Sequence, residues 1–233
     1  MNEHPGERYY YEQYMTVLAK HLDGRPQVLD VGCQYGRFAL PLAAHGHQVV
    51  ATDIDQACLD YVRAQNPSIE VRCESADESA RDGSRDFDVV LCLEVLYLLP
   101  DWRSVVAGLV RRAAPTGVVA CSHRSQGYYI HRFLRERRYD ELDQLLAGRH
   151  PAINAQSSAE LHSAYRDAGV DVVSVTPIGT FSGIEVDPFA AINDPTVLTT
   201  TDRERLAGYE LDPELTAQFM DSARYLLVVG TPS

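Results

Sequence analysis

The segment that most restricts the fold is residues 28–55, VLDVGCQYGRFALPLAAHGHQVVATDID. An apolar run ends at Val31, and Gly32 and Gly36 follow it. A helix-like stretch, RFALPLAAHG, leads into a second apolar run that closes at Asp53. A strand, a turn, a helix and a strand in this order make a parallel βαβ unit, because the helix carries the chain back to the starting edge of the sheet. Glycine in the turn lets the backbone approach a ligand closely, since no Cβ intervenes. A carboxylate at the tip of the neighbouring strand, Asp53, can accept two hydrogen bonds from vicinal hydroxyls such as those of a ribose.

The rest of the chain continues the alternation, which is the pattern of an α/β fold with a mostly parallel sheet. A first helix is expected over 7–22, with Tyr11, Met15, Leu18 and Leu22 on one face. Asp55 caps a helix over DQACLDYVRAQ. IEVRC is a short third strand, and RDFDVVLCL a fourth whose continuous apolar run suits burial on both faces. Pro100 and Asp101 open a helix in which Trp102, Val105, Val106, Leu109 and Val110 share a face. GVVACS, DVVSVTPIG and ARYLLVVG supply three more strands. Capping boxes are expected at Ser157–Glu160 and Thr201–Glu204, and Asp212-Pro213 opens another helix. The stretches 124–156 and 180–222 interrupt the alternation, and both leave strand ends. Ligands of open parallel sheets bind beyond the carboxyl ends of the strands, so both stretches are expected to cap one site within a single domain over 1–233.

Composition narrows the function classes. Of the 233 residues, 45% are hydrophobic, enough for a sizeable core. The net charge is −12 and the pI about 5.0, which makes nucleic acid and anionic membranes poor partners for the bulk surface. The five cysteines, Cys33, Cys58, Cys73, Cys92 and Cys121, form no C-x-x-C pair, and four flank apolar runs, so neither a metal site nor a disulfide framework is expected. The chain has no apolar run of membrane-spanning length, and its polar, aromatic start is not that of a secretory signal. A cytoplasmic monomer or homodimer is the default expectation.

Residues 26–124 resemble the cofactor-binding half of the class I S-adenosylmethionine-dependent methyltransferases. Asp30, Gly32 and Gly36 match that family's first motif, with Gln34 where a middle glycine is usual. Asp53 matches its ribose carboxylate. Asp77 in SADESA matches its adenine-reading acid, and LEVLYLLPDW its fourth-strand motif, in which Leu93 and Glu94 reach the methionine end of the cofactor. LVRRAAPTGVVACSHR resembles the family's turn into the fifth strand. The resemblance implies a Rossmann-like, doubly wound, seven-stranded sheet with an antiparallel last strand and helical cap insertions. It also implies a lid helix over 1–25, a core over 26–123, and a cofactor set of Tyr14, Asp30, Gly32, Gln34, Gly36, Asp53, Ile54, Ala76, Asp77, Leu93 and Glu94. A nicotinamide dehydrogenase shares the ribose logic but wants G-x-G-x-x-G to seat a pyrophosphate. The spacing here is G-x-x-x-G, and Asp30 suits a cationic amino group better than a pyrophosphate.

The expected reaction is methyl transfer to a small molecule, on oxygen in the first reading. N- or C-methylation and a non-catalytic or non-methylating binder of the same cofactor are the alternatives. His123 directly follows the fifth strand and is a candidate base or substrate contact; the other reading is a histidine that binds a local backbone carbonyl. His131 lies about two helical turns on, against a reading as solvated helix face. Tyr97, below the fourth strand, is a candidate for lining the pocket. The N-terminal cluster Tyr9, Tyr10, Tyr11 and Tyr14 either folds over the cofactor or packs its helix on the body. Tyr128, Tyr129 and Phe133, with Phe181 and Phe189, either line an acceptor pocket or pack the insertions. The basic run His131–Arg138 is read as a helix face with Arg–Glu pairs.

Overall fold

The computed structural model describes residues 5–24, 26–181 and 199–233, with side chains from Tyr10 onward except that of Arg203. Phe189 and the side chain of Tyr9 lie outside the described residues. In chain order the elements are α1 (Pro5–Leu22), β1 (Gln27–Val31), α2 (Ala39–Ala44), β2 (Gln48–Asp53), α3 (Gln56–Gln65), β3 (Glu70–Cys73), α4 (Ala76–Arg81) and β4 (Phe87–Cys92). They continue as α5 (Trp102–Arg112), β5 (Ala113–Ser125), α6 (Gln126–Glu136), α7 (Tyr139–Leu146), β6 (Ala155–Gln156), α8 (Ser158–Asp167) and β7 (Val170–Ile178). The last are α9 (Thr200–Glu210), α10 (Pro213–Ala217) and β8 (Tyr225–Pro232).

The strands form one sheet in the order β3-β2-β1-β4-β5-β8-β7, with β6 beside the end of β5. It is mostly parallel with antiparallel C-terminal strands, a Rossmann-like arrangement. β1 lies between β2 and β4: Val28 pairs with Val49 on one side and Val89 on the other. The strand order therefore reverses at β1/β4, which opens a crevice beyond their carboxyl ends. β6 is an eighth strand that the sequence pattern does not show, because it is only two residues long.

By its internal contacts the chain divides into two compact units. One comprises Ala19–His123, Glu160–Ser174 and Val228–Ser233. Its core is the apolar interior of β1, β2, β4 and β5, where Val28, Leu29, Val89, Val90, Leu91, Val119 and Ala120 have no exposed surface. α4 and α5 pack so closely that a Cβ on Gly108 would sit 2.4 Å from the Ala80 carbonyl oxygen. Arg112 is buried beside them. Its Nη1 donates to the Ser79 carbonyl (2.6 Å), its Nη2 pairs with Asp82 (3.2 Å), and its guanidinium lies over the Phe87 ring. Cys33, Cys58, Cys92 and Cys121 are buried as small core groups, while Cys73 is exposed.

The other unit comprises, among the described residues, 5–18, Arg124–Ala159, 175–181 and 199–227. Tyr128, Tyr129, Phe133, Leu142 and Leu145 make the α6–α7 core. Gly179 is ringed by α1: Gln13 accepts its N–H (2.9 Å), and the Tyr10 ring fills the space a Cβ would need. The buried Glu210 carboxylate accepts the N–H groups of Thr180 (3.0 Å) and Phe181 (2.7 Å). Asp55, Asp101 and Asp212 cap their helices as expected. The Thr201–Glu204 box does not form. Thr199 is the N-cap instead, bonded to the Asp202 N–H (3.2 Å), because the TTT-D run offers the same hydroxyl-to-acid spacing two residues earlier. β5 runs on to Ser125, and α6 follows at once from Gln126. Within the basic run Arg132 pairs with Glu136 (3.0 Å), and Arg138 with Glu136 (2.9 Å) and Glu141. Among the described residues no helix is long and apolar enough to cross a membrane.

Gly108→Ala should force α4 and α5 apart and lower stability by about 1–3 kcal/mol. The expected signature is a reduced urea midpoint with an unchanged slope.

Candidate cofactor site

The carboxyl ends of β1 to β4 carry the expected cofactor residues other than Tyr14, and these belong to the unit that contains Ala19–His123. The turn after β1 is closed by the main chain. The N–H groups of Gly32 (2.8 Å) and Cys33 (2.9 Å) both donate to the Thr52 carbonyl, and Gly36 N–H donates to Cys33 O (2.8 Å). Gly32 has φ +76°, and a Cβ there would lie 2.3 Å from a Val95 methyl, so conformation and space both demand glycine. Gly36 has φ +79° and would press on Leu40.

Gln34 also has φ +47°, which explains why glycine is usual at such a position. A left-handed non-glycine residue costs about 1–2 kcal/mol. The side chain is exposed, and its N–H donates to Asp53 Oδ2 (2.8 Å). Asp53 accepts a second N–H, from Asp55, at Oδ1 (2.9 Å). Two amides thus fix the carboxylate's plane. A carboxylate has about four acceptor sites, so capacity remains for two hydroxyls. Beside it Ile54 is 75% exposed, an apolar face unusual for an isoleucine and suited to a flat ring.

β3 brings Asp77 to the same rim, with Cys73 in register with Asp53 and Glu74 N–H donating to Asp53 O (3.1 Å). Ser75 and Glu78 close a capping box on α4, which leaves Asp77 exposed in the first turn and Ala76 buried beneath it. At the end of β4, Leu93 is buried and Glu94 is left-handed (φ +60°). Its carboxylate meets Arg37 Nη2 at 2.5 Å, and its N–H donates to Ser122 Oγ (2.6 Å). Neither Arg37 nor Ser122 was legible as a site residue, because both partnerships join distant parts of the chain.

Asp30 is the electrostatic centre. Only 2% of it is exposed, and Oδ2 has no hydrogen-bond partner. Burial pushes the carboxyl up to about 7, opposed by the Arg37 charge and by the Ala39 N–H, and reinforced by Asp53. A buried acid with an oxygen to spare is what an ammonium or sulfonium group would complete, so these residues fit the cofactor that the sequence implies.

The acceptor-side candidates fall differently. His123 is fully buried rather than open to the crevice. Its Nε2 lies 2.8 Å from the Tyr165 hydroxyl, and its ring meets Trp102 with centroids 4.8 Å apart. The alternation of the strand turns it into the core. Tyr97 is half-buried after β4. In the other unit, His131 is exposed on α6, Tyr128 and Tyr129 are buried in the α6–α7 core, and Tyr14 is buried on α1. Tyr10 packs edge-on against Tyr225, and Phe181 against Phe219.

The chain is similar to several known proteins. A ubiquinone biosynthesis O-methyltransferase from Thiobacillus denitrificans is 30% identical over 184 residues, which is 76% of this chain and 78% of that protein. One of the same description from Coxiella burnetii is 30% identical over 112 residues, and there the chain matches only 45% of the relative's length. Among solved structures, an S-adenosylmethionine-dependent methyltransferase from Listeria monocytogenes, described as putative, superposes with a TM-score of 0.64 at 15% identity, covering 97% and 99% of the two chains. Magnesium protoporphyrin IX methyltransferase from Synechocystis, solved with S-adenosylhomocysteine, gives 0.62 at 14%, covering 98% and 84%. The methyltransferase-domain family itself matches residues 4–175, a span that takes in every strand-end residue described above. The chain therefore belongs to that methyltransferase-domain family, and its fold is that of the class I S-adenosylmethionine-dependent methyltransferases.

Proposed function

We propose that the protein methylates a small organic molecule on oxygen, with the donor lying across the carboxyl ends of β1 to β4. The observation that carries the donor half is Asp30, whose buried, unpartnered oxygen suits the cationic amino-acid end of the cofactor. Asp53 accepts the ribose hydroxyls, Ile54 and Asp77 take the adenine, and the glycine turn leaves room for the backbone to approach. The choice of oxygen is supported by the Thiobacillus relative, whose description is an O-methyltransferase. The bound donor supplies a methyl group on a sulfonium, ready for in-line displacement. The chain's own contribution is alignment, worth about 7–11 kcal/mol when reactants are held well.

Within this reading Tyr97 offers aromatic surface to the acceptor, whereas Tyr128 and Tyr129 serve the core of the α6–α7 insertion. We assign His123 to packing, as the partner of Tyr165, and not to proton removal. His123→Ala should lower stability by about 2–4 kcal/mol, through the cavity and the orphaned Tyr165 hydroxyl. Well below its melting temperature the variant should keep turnover within about threefold of the parent. A loss of about 10²-fold or more would restore His123 as the base.

The function itself is tested by incubating the protein with S-adenosylmethionine and a panel of hydroxylated and amino-substituted aromatics. S-adenosylhomocysteine should form with the hydroxylated compounds, and mass spectrometry should find an O-methyl product. Turnover confined to amines would overturn the choice of oxygen.

Asp30 makes cofactor binding depend on pH. A cationic ligand favours the ionised carboxyl, so binding releases a proton wherever Asp30 is protonated in the free protein. With the carboxyl titrating at about 7, affinity rises with pH through neutrality and levels off above it. Titration calorimetry with S-adenosylhomocysteine should show about tenfold tighter binding at pH 8 than at pH 6, and Asp30→Asn should abolish the dependence. The linkage to folding has the opposite sign. The folded state holds this proton more firmly than the unfolded chain, so Asp30 costs stability progressively as pH rises from about 4 to 7. Asp30→Asn should therefore raise the melting temperature of the unliganded protein at pH 8.

A further inference from the structure

We propose that Ser122 is a positioning residue for the amino-acid end of the cofactor, holding Glu94 in a left-handed conformation from which its carboxylate fixes Arg37 beside Asp30. The proposal rests on the cofactor reading above and adds to it a residue from β5.

The chain of contacts lies wholly within one unit. Cys92 of β4 is in register with Cys121 of β5, so the residues just past them lie side by side beyond the paired strands. Ser122 is fully buried, and its Oγ accepts the Glu94 N–H at 2.6 Å. Glu94 has φ +60°, a conformation that glycine would take without strain. The sequence nevertheless keeps a glutamate, and its carboxylate has a definite use: it meets Arg37 Nη2 at 2.5 Å, with both side chains about one-fifth exposed. Gln34 shows the same device on the other side of β1, its left-handed backbone held by a side-chain acceptor from the neighbouring strand end, Asp53. In each case an unfavourable backbone conformation is tolerated where a side chain of the adjacent strand captures the N–H.

Arg37 is the positive group of this corner. Its charge opposes the effect of burial on the Asp30 carboxyl, and Arg37 follows the β1 turn that Asp30 precedes. An α-amino acid carries an ammonium and a carboxylate on one carbon. Asp30 offers the anion such a group needs and Arg37 the cation, whose planar fork matches a carboxylate. Glu94 keeps Arg37 in place and stops it from collapsing onto Asp30, and Ser122 keeps Glu94 in place.

The test compares two ligands by calorimetry. S-adenosylhomocysteine has the amino-acid end, and 5′-methylthioadenosine has the same nucleoside and sulfur without it. Ser122→Ala and Arg37→Gln should each weaken S-adenosylhomocysteine by about tenfold and leave methylthioadenosine within about twofold. Ser122→Thr, which keeps the hydroxyl, should retain the parent's preference for S-adenosylhomocysteine. Equal weakening of both ligands, or unchanged S-adenosylhomocysteine affinity, in the Ser122 and Arg37 variants would overturn the proposal. Should Ser122→Ala not fold, Arg37→Gln, at a partly exposed position, decides the matter on the same selectivity. A parent protein that binds neither ligand would overturn the cofactor reading itself, a result distinct from unselective variants of a parent that binds both.

Discussion

The turn after β1 closes onto the end of β2 through the main chain, and the site depends on that closure. One carbonyl, Thr52 O, accepts the N–H groups of both Gly32 and Cys33, and one carboxylate, Asp53, accepts the N–H of Gln34. Three successive amides are thereby turned toward β2. The chain can make this bend only because Gly32 has no Cβ to strike Val95 from the facing β4 loop. The same bend sets the positions of Asp30 behind it and Arg37 ahead of it, so a local constraint of backbone geometry determines the electrostatics of the whole rim.

Those electrostatics work against folding. A carboxyl that is almost fully buried, with one oxygen lacking a partner, destabilises the chain that carries it. Stability alone would favour an asparagine or an apolar residue at position 30. The left-handed backbones of Gln34 and Glu94 add strain at the same rim. Departures from local preference that gather at one place are characteristic of functional sites. Here they lie at the carboxyl ends of β1 and β4, where the sheet order reverses.

Much of this was legible in the chain. The apolar runs and caps located the strands of the sheet and most helices, because burial on both faces leaves a continuous hydrophobic signature and Asp55, Asp101 and Asp212 are strong local stops. The Thr199 cap shows the limit of local reading: two overlapping hydroxyl-to-acid spacings compete, and the sequence pattern does not rank them. His123 shows another. Its place after the fifth strand suggested a group facing the crevice, yet strand alternation and the waiting Tyr165 hydroxyl turn it into the core.

The sequence by itself determined the fold class, the glycine turn, and the order of acids at the strand ends, since each depends on residues close together in the chain or on periodic burial. Only the tertiary structure decided which of those acids is buried and unpartnered, which left-handed residues are held by which side chains, and that Arg37 pairs with Glu94. These are contacts across 19 to 57 positions of sequence, made where neighbouring strands end side by side, and the residues of one strand end do not name their partners on another.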